Sequence, residues 1–358
     1  MINSGSSWRS IIREGCREGM RRLESIVHGF LLRLPPETAH ELGLLLLRMS
    51  PGRRVISDEA LRVRTSFGVL NNPVGLAAGF DKTGRHLGSL EGLGFGYIVA
   101  GTVTRNPREG NRKPRIVRRR EQEALVNAMG FPNPGIAKFL ENVRRCRPRS
   151  TPLLISVSDE HLESLVECYI LAQREAAAIE VNISSPNTPA LRHYFEIETF
   201  RELASSLSQR KTRPTYLKLP PASSTDQKAL IAKMLRAWWD AGFEGVTVVN
   251  TLPMEDPGLS TGVGGMSGRP LFGYMLEAVK MAWELTDGSL EINAVGGIFT
   301  GRDALTAIMN GATTIQIYTS LVYRGAGAVA SILEELLEEL RRSGFASITE
   351  VRGSSFRK

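Results

Sequence analysis

The sequence predicts an α/β fold, a (β/α)8 or TIM barrel with an N-terminal helical extension, from two observations. From residue 71 onward, short apolar runs alternate with helical patterns, which is typical of a parallel sheet with right-handed crossovers. Eight such runs can be counted, and eight strands are the number that closes this barrel. The predicted strands are Val74–Ala78, Tyr97–Val103, Leu153–Val157, Ala178–Ile183, Thr215–Leu219, Gly245–Asn250, Leu290–Val295 and Thr314–Tyr318.

An open, doubly wound sheet is the alternative arrangement of alternating strands and helices. Its dinucleotide-binding members carry a GxGxxG loop after the first strand, and no such loop follows Val74–Ala78. The sequence also contains no internal repeat beyond the β/α unit. The barrel therefore stays the predicted fold.

The N-terminal extension is predicted to be helical and amphipathic. Residues 8–33 combine regularly spaced arginines with apolar residues at helical spacing, and a strongly apolar helix follows Pro35 and Pro36. Such a segment suits a membrane surface, but it can equally well cap a core. We expect a helical segment over residues 1–50, a barrel over residues 51–345 and a tail over residues 346–358. The arginines are Arg9, Arg13, Arg17 and Arg21, and the second helix carries Leu42, Leu45, Leu46 and Met49.

The composition is that of a globular protein, since 42% of the 358 residues are hydrophobic and 23% are charged. A net charge of +8 suits an anionic partner, whether a phosphate cofactor, an acidic substrate, a membrane surface or a nucleic acid. We expect no nucleic-acid partner, because the arginines lack interleaved aromatic residues and no binding motif is present. No apolar run reaches the roughly 20 residues that a membrane span needs.

Polar residues and glycines close most of the predicted strands. In a (β/α)8 barrel the carboxyl ends of the strands form the active-site face, so these residues predict a polar pocket. The pocket lacks the His, Cys or carboxylate cluster that a catalytic metal needs. Cys16, Cys146 and Cys168 show no CxxC spacing, so we expect neither a metal site nor a disulfide framework. The strand-end residues are Gly79, Lys82, Thr102, Ser156, Asn182, Ser184, Ser185, Lys218, Asn250, Thr251, Gly296, Gly297, Tyr318 and Thr319.

Five motifs at these strand ends resemble those of the dihydroorotate dehydrogenase family. The similarity covers essentially the whole chain, and Leu34-Pro-Pro-Glu-Thr-Ala-His40 resembles the N-terminal segment of the quinone-dependent, membrane-associated class. The Asn-Ile-Ser-Ser-Pro-Asn-Thr run is highly specific, whereas a Gly-Gly pair is weak alone. The motifs are Asn72-Pro-Val-Gly-Leu-Ala-Ala-Gly-Phe-Asp-Lys82, Gly101-Thr-Val-Thr104, Asn182-Ile-Ser-Ser-Pro-Asn-Thr-Pro189, Gly264-Gly-Met-Ser-Gly-Arg-Pro270 and Val295-Gly-Gly-Ile298.

The resemblance implies an FMN cofactor and a site for it. Lys218 would stabilise the negative charge that a reduced flavin carries near N1 and O2. Small residues near the phosphate would let backbone N–H groups approach the anion. The implied flavin residues are Ala78, Gly79, Lys82, Thr102, Asn182 and Lys218, and the implied phosphate residues are Gly268, Gly297, Tyr318 and Thr319.

The resemblance also implies a dihydroorotate site, in which amides read the ring because each can donate and accept hydrogen bonds. Ser185 falls where the quinone-dependent class places its catalytic base, with a hydroxyl such as Thr188 as a possible proton relay. The implied partners are dihydroorotate, orotate and a membrane quinone, with peripheral attachment to the cytoplasmic side of the cell membrane. The implied substrate residues are Lys82, Asn127, Met129, Gly130, Phe131, Asn182, Asn187, Asn250 and Thr251.

Several positions depart from the family pattern. The run Leu154-Ile-Ser-Val-Ser-Asp-Glu160 replaces a strand that ends with an asparagine and a Gly-Lys-Asn loop, which puts Ser156 where the asparagine stands. Two alternatives to a quinone-linked dihydroorotate dehydrogenase therefore stay open. One is an FMN barrel oxidoreductase acting on another reduced heterocycle, and the other is a catalytically silent FMN-binding protein. Further departures are Ala128, Pro132, Ala190, Pro221, Leu252 and Ser320.

Overall fold

Eight parallel strands form a closed barrel in the computed structural model, which describes residues 24–49 and 55–357. Each strand pairs with its neighbours in the sequence, and the eighth strand pairs with the first, for example Gln316 beside Gly75. This confirms the predicted barrel. The strands are Val74–Leu76, Tyr97–Val103, Leu153–Val157, Ala178–Asn182, Thr215–Leu219, Gly245–Val248, Glu291–Val295 and Thr314–Ile317.

The barrel strands are apolar because helices cover their outer face while side chains fill the interior. All five residues of Leu153–Val157 are buried, as are all seven of Tyr97–Val103. Parallel strands buried on both faces give nearly continuous apolar runs. That is the pattern by which the sequence predicted them.

Helices follow the strands, and some of them begin with a side-chain cap. The Ser224 hydroxyl accepts a hydrogen bond from the Gln227 N–H, and Thr300 and Asp303 form a capping box. Short 3-10 helices cover Glu59–Leu61, Arg120–Gln122, Pro189–Phe195, Arg269–Leu271, Gly325–Gly327 and Ser354–Phe356. The α-helices of the barrel unit are Leu87–Glu91, Ile136–Cys146, Leu162–Ala172, Ile197–Ser208, Thr225–Asp240, Phe272–Thr286, Gly301–Met309, Thr319–Arg324, Ala328–Arg342 and Ile348–Val351.

A four-stranded antiparallel sheet, which the sequence did not predict, is inserted between barrel elements. Its strands are Leu252–Glu255, Val263–Gly268, Ala124–Asn127 and Ile116–Arg119, in that order. We call it the lid sheet.

A short hairpin contacts the amino ends of the barrel strands. The turn between its strands, Val63–Thr65 and Gly68–Leu70, carries Phe67. Its ring centroid lies 5.6 Å from that of Tyr97 and 5.8 Å from that of Tyr216.

The chain divides into two compact units, Met1–Ser50 and Pro51–Lys358. In the first, residues 24–31 and Pro36–Met49 are helical. The predicted arginine row of residues 9–21 and Cys16 lie outside the described residues. In the second, the segment predicted as a tail packs on the barrel unit, since Phe356 stacks on Trp283 at 5.7 Å.

Candidate active site

One cavity opens at the carboxyl ends of the barrel strands, and the lid sheet supplies part of its wall. The strand ends meet there because all eight strands are parallel. The structure brings the implied flavin, phosphate and substrate residues and Ser185 to this cavity, whereas the strand-end residues Ser156 and Ser184 do not line it. The residues brought to the cavity are Ala78, Gly79, Lys82, Thr102, Asn127, Met129, Gly130, Phe131, Asn182, Ser185, Asn187, Lys218, Asn250, Thr251, Gly268, Gly297, Tyr318 and Thr319.

Asn182, at the end of the fourth strand, is the centre of an amide network. Its Nδ2 donates to the Thr102 hydroxyl at 3.0 Å, and its Oδ1 accepts from Asn250 Nδ2 at 3.2 Å. Asn250 Nδ2 also lies 3.0 Å from the hydroxyl of Ser184. These contacts fix which way the Asn182 amide faces. The second, fourth and sixth strands thus present one rigid polar wall.

A second amide pair joins the loop after the fourth strand to the lid sheet. Asn187 Nδ2 donates to the Asn127 carbonyl at 3.0 Å and lies 3.3 Å from its side-chain oxygen. Asn127 Nδ2 in turn donates to the Gly265 carbonyl at 3.2 Å. The lid sheet and the strand-four loop therefore hold a shared edge of the cavity.

Ser185 is half-buried on the same loop and lines the cavity. The hydroxyl of Thr188, which is buried, lies 3.5 Å from the Ser185 hydroxyl. The Thr188 N–H also donates to the Ser185 carbonyl at 3.4 Å. Both contacts run from Thr188 as donor to Ser185 as acceptor, and they tie Ser185 to a buried neighbour.

Gly79 holds two side chains at the other side of the cavity. Its carbonyl accepts from Lys82 Nζ at 2.5 Å and from the Tyr318 hydroxyl at 3.4 Å. Burial raises the pKa of Tyr318 to about 12, so this phenol stays neutral at ordinary pH. The cavity thus has a hydroxyl donor there rather than a phenolate.

Two glycines with left-handed backbone lie at the end of the cavity near Thr319. A Cβ on Gly297, whose φ is +74°, would meet the Phe272 backbone nitrogen at 2.6 Å. A Cβ on Gly268, whose φ is +98°, would meet the Glu123 carbonyl oxygen at 2.2 Å. Only glycine fits at either position. The backbone therefore forms a tight, small-residue end of the cavity.

Comparison with known proteins places the chain in a family. The family model described as dihydroorotate dehydrogenase matches residues 61–340. The chain belongs to the dihydroorotate dehydrogenase family.

Relatives named dihydroorotate dehydrogenase (quinone) match most of the chain. One from Chloroflexus aurantiacus is 38% identical over 323 residues, 81% of this chain and 88% of its own length. One from Roseiflexus sp. is 36% identical and covers 93% of this chain and 99% of its own length. The crystal structure of the Eimeria tenella enzyme with ferulenol superposes with a TM-score of 0.84 at 28% identity. It covers 93% of this chain and 99% of its own.

Ser156, on the third strand, is one of the positions that depart from the family pattern. Ser156 is fully buried and is not among the residues lining the cavity. Its hydroxyl donates to the carboxylate of Glu180 at 3.0 Å and lies 3.0 Å from the Thr102 hydroxyl. Glu180 Oε1 lies 3.5 Å from Lys218 Nζ. Sequence reasoning missed Glu180, although a carboxylate inside the apolar run Ala178–Asn182 was a visible signal.

The replaced loop after the third strand is held by ionic contacts away from the cavity. Asp159, which is buried, accepts from the Arg105 N–H at 3.0 Å and lies 3.8 Å from the Arg108 guanidinium. Arg108 also pairs with Glu160 at 2.6 Å. The residues that replace the family's loop are therefore held in place by Arg105 and Arg108.

The polar groups of the cavity fit a flavin phosphate cofactor. Two lysines, several amides and a glycine-lined end converge on the cavity, and the buried Ser320 hydroxyl that lines it has no partner among the described residues. A polar ligand would satisfy such a group.

Within residues 24–49 and 55–357, no group of three or more His, Cys, Asp or Glu side chains is placed to bind a metal. In the same part of the chain, no helix is long and apolar enough to cross a membrane.

Proposed function

We propose that this protein oxidises dihydroorotate to orotate with FMN as cofactor and a quinone as final electron acceptor, a step of pyrimidine biosynthesis. One observation carries the proposal. Lys218, the Asn182 amide network and Ser185 lie around a single cavity at the carboxyl ends of the barrel strands. Membership of the dihydroorotate dehydrogenase family supports the same activity.

The residues that would hold FMN come from the ends of the first, second, fourth, fifth, seventh and eighth strands and from the lid sheet. The residues that suit the flavin ring are Ala78, Gly79, Lys82, Thr102, Asn182 and Lys218, and those that suit the phosphate are Gly268, Gly297, Tyr318 and Thr319. The bound flavin supplies the acceptor for the hydride that leaves C6 of dihydroorotate. Lys218 provides a fixed positive charge in a place where water is excluded, which favours the acceptor's negative reduced form.

The amides would bind the dihydroorotate ring. Asn127, Asn182, Asn187 and Asn250 are held by one another, so they are organised before the substrate arrives. Each offers both a donor and an acceptor, which matches a ring with N–H and C=O groups. Lys82 supplies the charge for the substrate carboxylate. Met129, Gly130, Phe131 and Thr251 complete the contact surface.

Ser185 is the base that removes the C5 proton as the C6 hydride leaves. Its hydroxyl gives up its own proton as it takes the new one, and the Thr188 hydroxyl is the neighbour that passes it on. The products are orotate and a reduced cofactor. The quinone then takes two electrons and two protons, which restores the oxidised cofactor.

The first unit would bring the enzyme to the quinone, attached peripherally to the cytoplasmic side of the cell membrane. Apolar side chains remain exposed on its helices, including Ile26 at 70%, Phe30 at 57%, Leu45 at 52% and Met49 at 77%. An exposed apolar helical face suits insertion into a bilayer surface. Residues 1–50 are thus proposed as the membrane segment, residues 51–345 as the FMN barrel and residues 346–358 as the C-terminal end.

Anaerobic mixing of the FMN-loaded protein with dihydroorotate tests the proposal. Saturable bleaching of the flavin absorbance, followed by recovery when quinone is added, is the expected result. Bleaching by a different reduced heterocycle alone would indicate a paralogue with another substrate. A flavin that no candidate substrate reduces would indicate a silent FMN-binding protein, and protein that cannot be loaded with FMN would exclude all three.

A further inference from the structure

Glu180 and Lys218 place opposite charges inside the barrel on adjacent strands, with Lys218 in the cavity wall and Glu180 behind it. Glu180 is 0% exposed and Lys218 is 5% exposed. Glu180 Oε1 lies 3.5 Å from Lys218 Nζ, while Glu180 Oε2 is buried without a partner among the described residues. A buried carboxylate is stable only with a countercharge and hydrogen-bond donors. The Lys218 ammonium is the countercharge here.

Hydrogen bonds run from the cavity wall to this carboxylate in one direction. Ser156 has one hydroxyl proton and donates it to Glu180 at 3.0 Å, so in the 3.0 Å contact with Thr102 the proton comes from Thr102. Thr102 in turn accepts from Asn182 Nδ2 at 3.0 Å. Glu180 is therefore the final acceptor of a chain that begins at a cavity-lining amide. Such chains strengthen each of their bonds.

We propose that Glu180 is a positioning residue of the active site: it fixes the Lys218 ammonium and the polarity of the Asn182 chain, and its charge lowers the reduction potential of the bound FMN. This rests on the proposed function in that Lys218 and Asn182 face the flavin. Glu180 acts through these two residues, because the carboxylate itself is sealed from the cavity. A more reducing flavin gives up its electrons to an acceptor more readily.

The direction of the effect follows from the charges. With Glu180 ionised, the Lys218 ammonium is partly neutralised and stabilises a negative reduced flavin less. Replacing the carboxylate by an amide of the same shape leaves the ammonium uncompensated. The reduced flavin should then become more stable, and the midpoint potential should rise.

The test is a potentiometric titration of FMN-loaded Glu180→Gln and wild-type protein with a chemical reductant, without dihydroorotate. We expect the reduced form to be favoured at least tenfold more in the variant, which is about 30 mV for a two-electron couple. The matched control is Glu244→Gln. It breaks another lysine–glutamate pair, in which Lys211 Nζ lies 2.6 Å from Glu244 beside the amino ends of the strands, and its potential should equal that of the wild type. An unchanged or lowered potential in Glu180→Gln would overturn the proposal.

A stability cycle that needs no cofactor gives a second test. Lys218→Met leaves the Glu180 carboxylate buried and unpaired, so the apoprotein should lose more thermal stability than the double variant Lys218→Met/Glu180→Gln does. Additive losses would overturn the proposed pairing. If Glu180→Gln alone cannot be purified, the double variant must still be recoverable, and its failure would also count against the pairing. Neither readout involves dihydroorotate, so a failure of substrate oxidation stays distinguishable.

Discussion

The hydroxyl oxygens of Ser185 and Thr188 lie 3.5 Å apart on the loop that follows the fourth barrel strand. Ser185 lines the cavity, whereas Thr188 is buried behind it. In the proposed function, Ser185 is the residue that contacts the substrate and Thr188 is the next hydroxyl of the proton path. It also allows the two roles to be separated by mutation.

Ser185→Ala should leave FMN bound and slow flavin reduction by dihydroorotate by about two orders of magnitude, the usual scale for a general base. Thr188→Val keeps the shape and removes only the relay, so a smaller loss is expected. Stopped-flow absorbance under anaerobic conditions measures both rates. A near-native rate in Ser185→Ala would assign the proton to another residue.

Ser156→Asn is expected to bring no gain in dihydroorotate turnover. Ser156 is fully buried against Glu180 and Thr102, so the longer amide has no space that opens to the cavity. A larger amide would overpack the interior at a cost of about 1–3 kcal/mol. Thermal unfolding and stopped-flow reduction together check this, and faster reduction at unchanged stability would contradict it.

Gly265→Ala should weaken dihydroorotate binding by about tenfold while FMN stays bound, as expected for losing about one hydrogen-bonded contact. A Cβ there would lie 2.0 Å from the Thr251 hydroxyl and 2.9 Å from the Pro186 ring, so the Thr251 side chain must move. Gly273→Ala is the control, since nothing lies within 4 Å of its Cβ and it sits in the helix Phe272–Thr286. The measurement is the dissociation constant of the product orotate, which binds at the same site and can be followed through the flavin spectrum. Equal binding in both variants would show that Thr251 does not contact the substrate.

Leu45→Gln/Leu46→Gln should reduce binding to vesicles containing anionic lipid and slow quinone turnover, because both leucines are exposed apolar groups on Pro36–Met49. Flavin reduction by dihydroorotate should be unchanged. Vesicle co-sedimentation and steady-state assays with quinone in lipid measure the two effects. Unchanged co-sedimentation of the variant with vesicles would show that these leucines do not contact the membrane.

Glu91 should stabilise the fold in a pH-dependent way. Burial alone would raise the pKa of its carboxyl, but hydrogen bonds from the N–H groups of Arg149, Ser150 and Thr151 outweigh this and lower the pKa to about 2. The contribution is therefore present above the unfolded pKa of about 4.3 and is lost as the pH falls towards 2. Glu91→Gln should cost up to about 1 kcal/mol near neutrality, a cap-like loss. Urea unfolding should show that difference shrinking across the acid range, and a difference independent of pH would refute it.

The order of the eight strands and the polar character of their ends could be predicted from the sequence. Apolar runs of strand length, alternating with helical patterns, are a local property that each segment carries by itself. The motif residues could be named for the same reason, since each follows its strand directly. The exact strand ends could not, as the first strand stops at Leu76 and the sixth at Val248.

Only the tertiary structure decided which side chains meet. The lid sheet pairs Ala124–Asn127 with Val263–Gly268, segments that are far apart in the chain and too short and mixed to read as strands. Ser156, Glu180 and Lys218 likewise come together only because the third, fourth and fifth strands lie side by side in one register, Ser156 beside Glu180 and Asn182 beside Lys218. A charge inside an apolar run is visible in the sequence, but strand pairing determines which residue becomes its partner. A buried carboxylate is tolerated only where the fold brings a countercharge to it.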